Sequence, residues 1–143
     1  MSAPALLCIE FAARAEALAE VRAAVQRALS AQGLSARELA QLVLAIDEAC
    51  ANIIRHAYGD CGEGRIRLRI ERRRGRLRFR LRDHAPPVDP GCVRARSPDA
   101  CRPGGLGIHI IDETMDSWRL RPLKRHCGNV LTMMRHLHAR TAP

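Results

Sequence analysis

Apolar residues recur along this chain with two different periods, and the switches between them mark out the elements. Leu6 to Phe11 is a short apolar run that reads as a first strand. From Ala12 to Gln32 alanine, leucine, glutamate and arginine dominate, all strong helix formers, and Gly33 supplies a stop. Ser35 with Glu38 forms a capping-box pattern that opens a second helix. Along it Leu39, Leu42, Val43, Ile46, Cys50, Ile53 and Ala57 recur at helical spacing and mark its core face. At about 100° per residue, Glu48, Asn52 and Arg55 are expected together on the opposite side. The helix fades by Tyr58-Gly59-Asp60.

The period then changes to two. Ile66, Leu68 and Ile70 alternate with Arg65, Arg67 and Arg69; after a turn near Gly75, Leu77, Phe79 and Leu81 alternate with Arg76, Arg78, Arg80 and Arg82. This is a hairpin with one apolar face and one wet, arginine-covered face. His84 to Arg102 is rich in proline and polar residues without periodicity, longer than an ordinary connection. Gly104-Gly105-Leu106-Gly107 opens a short apolar helix running through Met115, and Trp118–Leu123 and Val130–Leu137 read as two last strands around a turn at Gly128-Asn129. The pattern predicts an α+β fold, a two-layer sandwich with a mostly antiparallel sheet and helices on one face. Residues 1–143 are expected to form a single domain, since no linker or repeat divides them.

Composition narrows the chemistry. Hydrophobic residues make up 47% and charged residues 27%, a globular balance, and no apolar run approaches a membrane span. The N-terminus lacks the basic and apolar regions of a secretion signal, so the expected compartment is cytoplasmic. The net charge of +9 is carried almost wholly by arginine, because Lys124 is the only lysine. That excludes a P-loop and a eukaryotic-type kinase site, both of which need a positioned lysine. The six cysteines contain no C-x-x-C pair, and His126, His136 and His138 lack companion ligands, so no zinc site is expected. The arginine face can attract nucleic acid or an acidic protein surface, or can simply be solvated. With one Trp, one Tyr and two Phe in the chain to stack on bases, a direct nucleic-acid role is not expected.

Three places can carry chemistry. On the second helix, the Asn52 amide oxygen can bind Mg²⁺ without adding charge, the Glu48 carboxylate one turn earlier can accept a proton, and Arg55 can pair with phosphate. Any solvated helix surface looks similar. Asp83, at the end of an arginine-rich strand, can accept a hydrogen bond from an adenine amino group or merely end the strand. The glycines at 104, 105 and 107 precede or open a helix, where backbone N–H groups and the helix dipole favour phosphate.

In this order the three segments resemble the anti-sigma-factor serine kinases of the GHKL (Bergerat-fold, histidine-kinase-like) ATPase superfamily. Glu48-Ala49-Cys50-Ala51-Asn52-Ile53-Ile54-Arg55-His56-Ala57-Tyr58 is similar to their N box, Asp83 to Pro90 to their first glycine box, and Gly104 to Ile111 with Met115-Asp116 to the second. Gly128 to Met133 resembles their closing strand. The resemblance implies Mg·ATP bound under a flexible lid, with Asn52 coordinating Mg²⁺ and Asp83 and Thr132 reading the adenine. Arg55, Ala85, Gly104, Gly105, Leu106, Gly107 and Ile108 would complete the ATP site, and Glu48 would be the base acting on a partner's serine. It also implies three partners: a sigma factor, a STAS-domain anti-anti-sigma protein that is phosphorylated, and a second copy in a homodimer. One departure stands out. Ala85 occupies a first-box position where the family carries glycine, so a penalty on positive φ and on close backbone approach to adenine, with weaker nucleotide binding, is expected there. A pure ATP-dependent binding module is the rival reading. A detached histidine-kinase catalytic domain is disfavoured, because no helical segment with a phospho-accepting histidine precedes the N box.

Overall fold

The computed structural model describes residues 4–57, 64–86, 106–123 and 127–138. Five strands form one antiparallel sheet: β1 (Ala5–Ala12), β2 (Arg65–Arg73), β3 (Arg76–Arg82), β4 (Ser117–Pro122) and β5 (Asn129–His136), in the spatial order β1-β2-β3-β5-β4. Three α-helices, α1 (Leu18–Leu29), α2 (Ala36–Asn52) and α3 (Leu106–Thr114), pack as a second layer, with α2 between α1 and α3. Among the described residues no helix is long and apolar enough to cross a membrane.

The hairpin drives the layering. Ile66, Leu68, Ile70, Leu77, Phe79 and Leu81 are all fully buried under the helices, joined there by Val21, Val25, Leu29, Leu42 and Ile46. Burying one such side chain contributes about 1.5–3 kcal/mol, so this face is what holds helices to sheet. The opposite face carries the arginines. Glu10 pairs with Arg65 and Arg67, and Glu71, only 4% exposed, pairs with Arg69 and Arg78.

One expectation shifts. The first helix does not begin at Ala12. That residue pairs with Arg65 in the sheet, Ala13 donates its N–H to Gly64 at 2.8 Å, and Arg14 is extended. A short 3₁₀ turn (Ala15–Ala17) leads into α1 only afterwards. Strand pairing outcompetes the helix propensity of alanine. The second helix begins as expected, with the Ser35–Glu38 capping box closed from both sides at 3.1 and 2.8 Å. At its other end, after Asn52, it widens into a π-helical turn (Ile53–Ala57), and Tyr58-Gly59-Asp60, where it is expected to fade, lie outside the described residues.

Candidate functional site

Asn52 ends α2, and the structure overturns its expected place on a solvated face. The residue is 6% exposed and lines a cavity of about 20 Å³ with Ala49, Ile53, Ile111, Trp118, Leu120 and Leu131. Helical periodicity describes a helix with one packed side. Here α3 and strands β4 and β5 approach α2 from another side, and its last turn is enclosed. The Asn52 Oδ1 accepts a hydrogen bond from Arg55 Nη2 at 3.0 Å, whereas Nδ2 has no partner among the described residues. The cavity has room for about one water. Its other lining side chains are apolar apart from the Trp118 indole N–H, which is already donated to Asp112 on α3 at 3.2 Å. An unmade hydrogen bond at a buried amide costs about 1–3 kcal/mol. An unmatched buried polar group calls for an explanation, and a catalytic role or a bound water or ion is among the usual ones.

Glu48 lies half-buried one turn before Asn52, and no hydrogen bond or ion pair among the described residues engages it. Arg55 is exposed on the π-helical turn. Such turns within helices recur at functional sites. Asp47, one position before Glu48 on α2, is instead tied to Arg22 on α1 at 2.9 Å.

Asp83 follows β3 and is 3% exposed. Strand alternation continues from Leu77, Phe79 and Leu81, so its carboxylate falls on the helix-covered side. Oδ1 accepts three N–H groups: the Ala85 backbone at 3.0 Å, the Asn129 backbone at 3.1 Å and the Asn129 side chain at 3.1 Å. All the hydrogen bonds to this carboxylate among the described residues fall on Oδ1. Burial pushes the Asp83 carboxyl above its ordinary range, and the three donors partly offset that shift. The turn itself is pinned, because Asn129 Nδ2 also reaches the Pro86 carbonyl at 3.1 Å and the Cys127 thiol donates to the Ala85 carbonyl at 3.2 Å.

Ala85 is buried, and the positive-φ part of the penalty expected of it is not present. Arg74 is the only non-glycine residue at positive φ among the described residues, so a methyl group at position 85 meets no backbone strain.

Thr132 is not brought to Asp83. On β5, Leu131 and Met133 belong to the core, and Thr132 points to the other face, in register with the exposed Arg80 and Arg119. Asn129 occupies the β5 position beside Asp83, 1% exposed and on the helix-covered side. It was missed as a site residue because it reads as half of a turn; the available signal was an amide placed where a buried strand begins. Gly128 beside it allows the close approach. A Cβ there would lie 2.3 Å from the Asp83 carbonyl oxygen.

These groups share one side of the sheet. Leu131, which borders the Asn52 cavity, and Asn129, which holds Asp83, stand two positions apart on β5, about 6.6 Å along the strand. Ile111 of α3 borders the same cavity, and the start of α3 at Leu106 lies about 7.5 Å away along the helix. Leu106, Gly107 and Ile108 form the first turn of α3, while Gly104 and Gly105 lie outside the described residues.

The model of the histidine kinase-like ATPase domain matches residues 11–135, which takes in every one of these groups. The chain belongs to this family. Serine-protein kinase RsbW of Bacillus subtilis is 25% identical over 134 residues, covering 88% of this chain and 82% of that protein. Anti-sigma F factor of Pasteuria penetrans is 28% identical over 92% of this chain and 90% of its own length. Serine/threonine-protein kinase BtrW of Bordetella bronchiseptica is 31% identical over 71% of this chain and 73% of its own. In structure, the histidine kinase domain of a blue-light activated histidine kinase from Erythrobacter litoralis superposes with a TM-score of 0.55 at 16% identity. That match covers 84% of this chain and 59% of the other, and it concerns the fold. The α+β architecture expected from the alternation of periods is therefore that of the histidine kinase-like ATPase family.

Proposed function

We propose that this protein is an ATP-dependent serine/threonine protein kinase that acts as an anti-sigma partner switch, phosphorylating a STAS-domain antagonist. Membership of an ATPase family and relatives named as serine-protein kinases and an anti-sigma factor support the class. The observation that carries the site is the pairing of an enclosed Asn52 amide with a pinned, buried Asp83 carboxylate on one side of the sheet.

Asp83 is the adenine reader in this proposal. With its known hydrogen bonds on Oδ1, Oδ2 is left to accept the exocyclic amine, and Asn129 keeps the carboxylate oriented. The residues present also fit magnesium. A guanidinium nitrogen already rests against Asn52 Oδ1, so that oxygen accepts a cation, and the exposed Arg55 side chain is free to turn toward phosphate. No group of three or more acidic, histidine or cysteine ligands occurs among the described residues. A metal held here would therefore draw mostly on phosphate and water, the usual habit of Mg²⁺. Bound Mg·ATP would supply the transferable phosphoryl group. Glu48, unengaged and half-exposed one turn from Asn52, would take the proton from the incoming serine hydroxyl. The backbone at the α3 N-terminus, with Gly104, Gly105 and Gly107, would receive the phosphates.

A homodimer working in the cytoplasm, with a sigma factor as the alternative partner, completes the proposal. The edge strand β1 supports self-association, since its partly buried Ile9 and Phe11 border an open groove of about 450 Å³ against α1.

The test combines Mg·ATP titration with radiolabel transfer to a STAS-domain protein. Glu48→Gln is expected to bind nucleotide like the wild type and to lose transfer by at least 100-fold. Wild-type binding with no phosphoprotein would favour a non-catalytic, ATP-gated binding module. No magnesium-dependent nucleotide binding at all would refute both.

A further inference from the structure

The nucleotide side leaves unused a second concavity on the far face of the sheet. It has a volume of about 330 Å³ and is lined by Glu71, Arg73, Arg74, Arg76, Arg78 and Met134, at the β2–β3 hairpin. Strand parity places the β2, β3 and β5 members of this set on the arginine face, turned away from the helices, Asn52 and Asp83. We propose that this pocket is a second anion site, taking a small ligand or side chain that carries a phosphate-type group of two or more negative charges.

Charge is the first reason. Four guanidiniums meet one carboxylate, a formal surplus of three. That carboxylate is already committed: Arg69 Nε donates to Glu71 Oε1, while Arg78 Nε, at 3.0 Å, and Nη2 both donate to Oε2. Glu71 therefore acts as a buried pin that orients Arg78. Arg73, Arg74 and Arg76 have no ion-pair partner among the described residues. Elsewhere on this face Glu10 pairs with both Arg65 and Arg67, so the arginines are not uniformly unpaired.

Backbone geometry is the second and independent reason. The hairpin closes through a two-residue turn, Arg74 at φ +51° and Gly75 at φ +73°, with Arg73 paired to Arg76. Such turns favour asparagine, aspartate or glycine at the first position, because in the left-handed region a Cβ crowds the following carbonyl oxygen; glycine lacks a Cβ, and asparagine and aspartate offset the cost by local hydrogen bonds. The chain instead holds an arginine there, at the rim of a cationic pocket. Backbone strain kept in this way points to a role for the side chain. Planar guanidiniums that converge suit the tetrahedral oxygens of phosphate.

The proposal does not rest on the nucleotide reading and is tested separately. The probes are inorganic pyrophosphate, for a free anion, and a short phosphoserine peptide, for an anion carried by a protein. Each is titrated calorimetrically into the full chain at two salt concentrations. Saturable, salt-weakened binding of either probe is expected, and the probe that binds identifies the source. Arg74→Asn and Arg76→Gln should each weaken it by about tenfold, the loss of one charged hydrogen bond. Arg74→Asn should at the same time melt no lower than the wild type, because asparagine accepts the turn. Asn52→Leu, altered on the nucleotide side, should leave this binding intact. Three outcomes overturn the proposal: no saturable binding of either probe, undiminished binding by both arginine variants, or loss of all binding in Asn52→Leu.

Discussion

Gly128→Ala tests the coupling between fold and site most directly. Gly128 sits at φ +135°, a region that alanine rarely adopts, and its new Cβ would stand 2.3 Å from the Asp83 carbonyl oxygen and 3.3 Å from both the carbonyl carbon and Leu123 Cδ1. The first contact is with backbone, so no side-chain rotation relieves it. Two main-chain bonds flank the clash, Asp83 N–H to the Asn129 carbonyl and Leu123 N–H to the Gly128 carbonyl, both at 3.0 Å. Moving β5 away from Asp83 lengthens the first of these, along with the contacts from Asn129 to the Asp83 carboxylate. Unfavourable φ contributes about 1–2 kcal/mol and overpacking about 1–3 kcal/mol. The total is about 2–5 kcal/mol, or roughly 6–15 °C in Tm for a domain of this size. Thermal unfolding by circular dichroism measures the first effect. Nucleotide titration measures the second, expected as a loss of at least tenfold once Asp83 is displaced. A variant that melts within about 2 °C of the wild type and binds nucleotide equally would refute the claim that this close approach builds the site.

Two other perturbations probe opposite sides of the sheet. Asn52→Leu removes the unmatched Nδ2 from an otherwise apolar enclosure and is expected to raise stability by about 1–3 kcal/mol while abolishing magnesium-dependent nucleotide binding; a lower Tm would show that the amide is satisfied in solution. On the outer face, the hydrogen bond from Arg69, followed by that from Arg78, holds the Glu71 carboxyl below its ordinary range. A carboxylate with a depressed folded-state pKa stabilises the fold above its unfolded value and loses that contribution as the pH falls through the lower one. Acid unfolding curves for Glu71→Gln should accordingly be shallower below about pH 4.5, with reduced stability at neutral pH; an unchanged acid limb would remove Glu71 from the account.

Much of this architecture is written locally. The β2–β3 hairpin is legible because each strand alternates apolar residues with arginine, and any strand with that contrast must bury one face. The capping box sets the start of α2 within one turn of chain. The one-turn spacing of Glu48 and Asn52 belongs to the helix whatever surrounds it, whereas Arg55 falls on the π-helical turn beyond its end. Other properties depend on partners distant in sequence. Asn52 is enclosed only because Ile111, Trp118, Leu120 and Leu131 arrive from α3, β4 and β5, and no helical period in residues 36–52 contains them. The choice of Asn129 over Thr132 as the companion of Asp83 depends on which residues of β5 face the helices. In Val130-Leu131-Thr132-Met133-Met134 the apolar run has too little contrast to declare its parity, and the register against β3 decides it. Ala12 followed the same rule, drawn into the sheet by Arg65 although its neighbours favour helix. Periodicity reports which face of an element is apolar; only assembly determines which polar groups are shut in together, and those are the groups that carry the proposed chemistry.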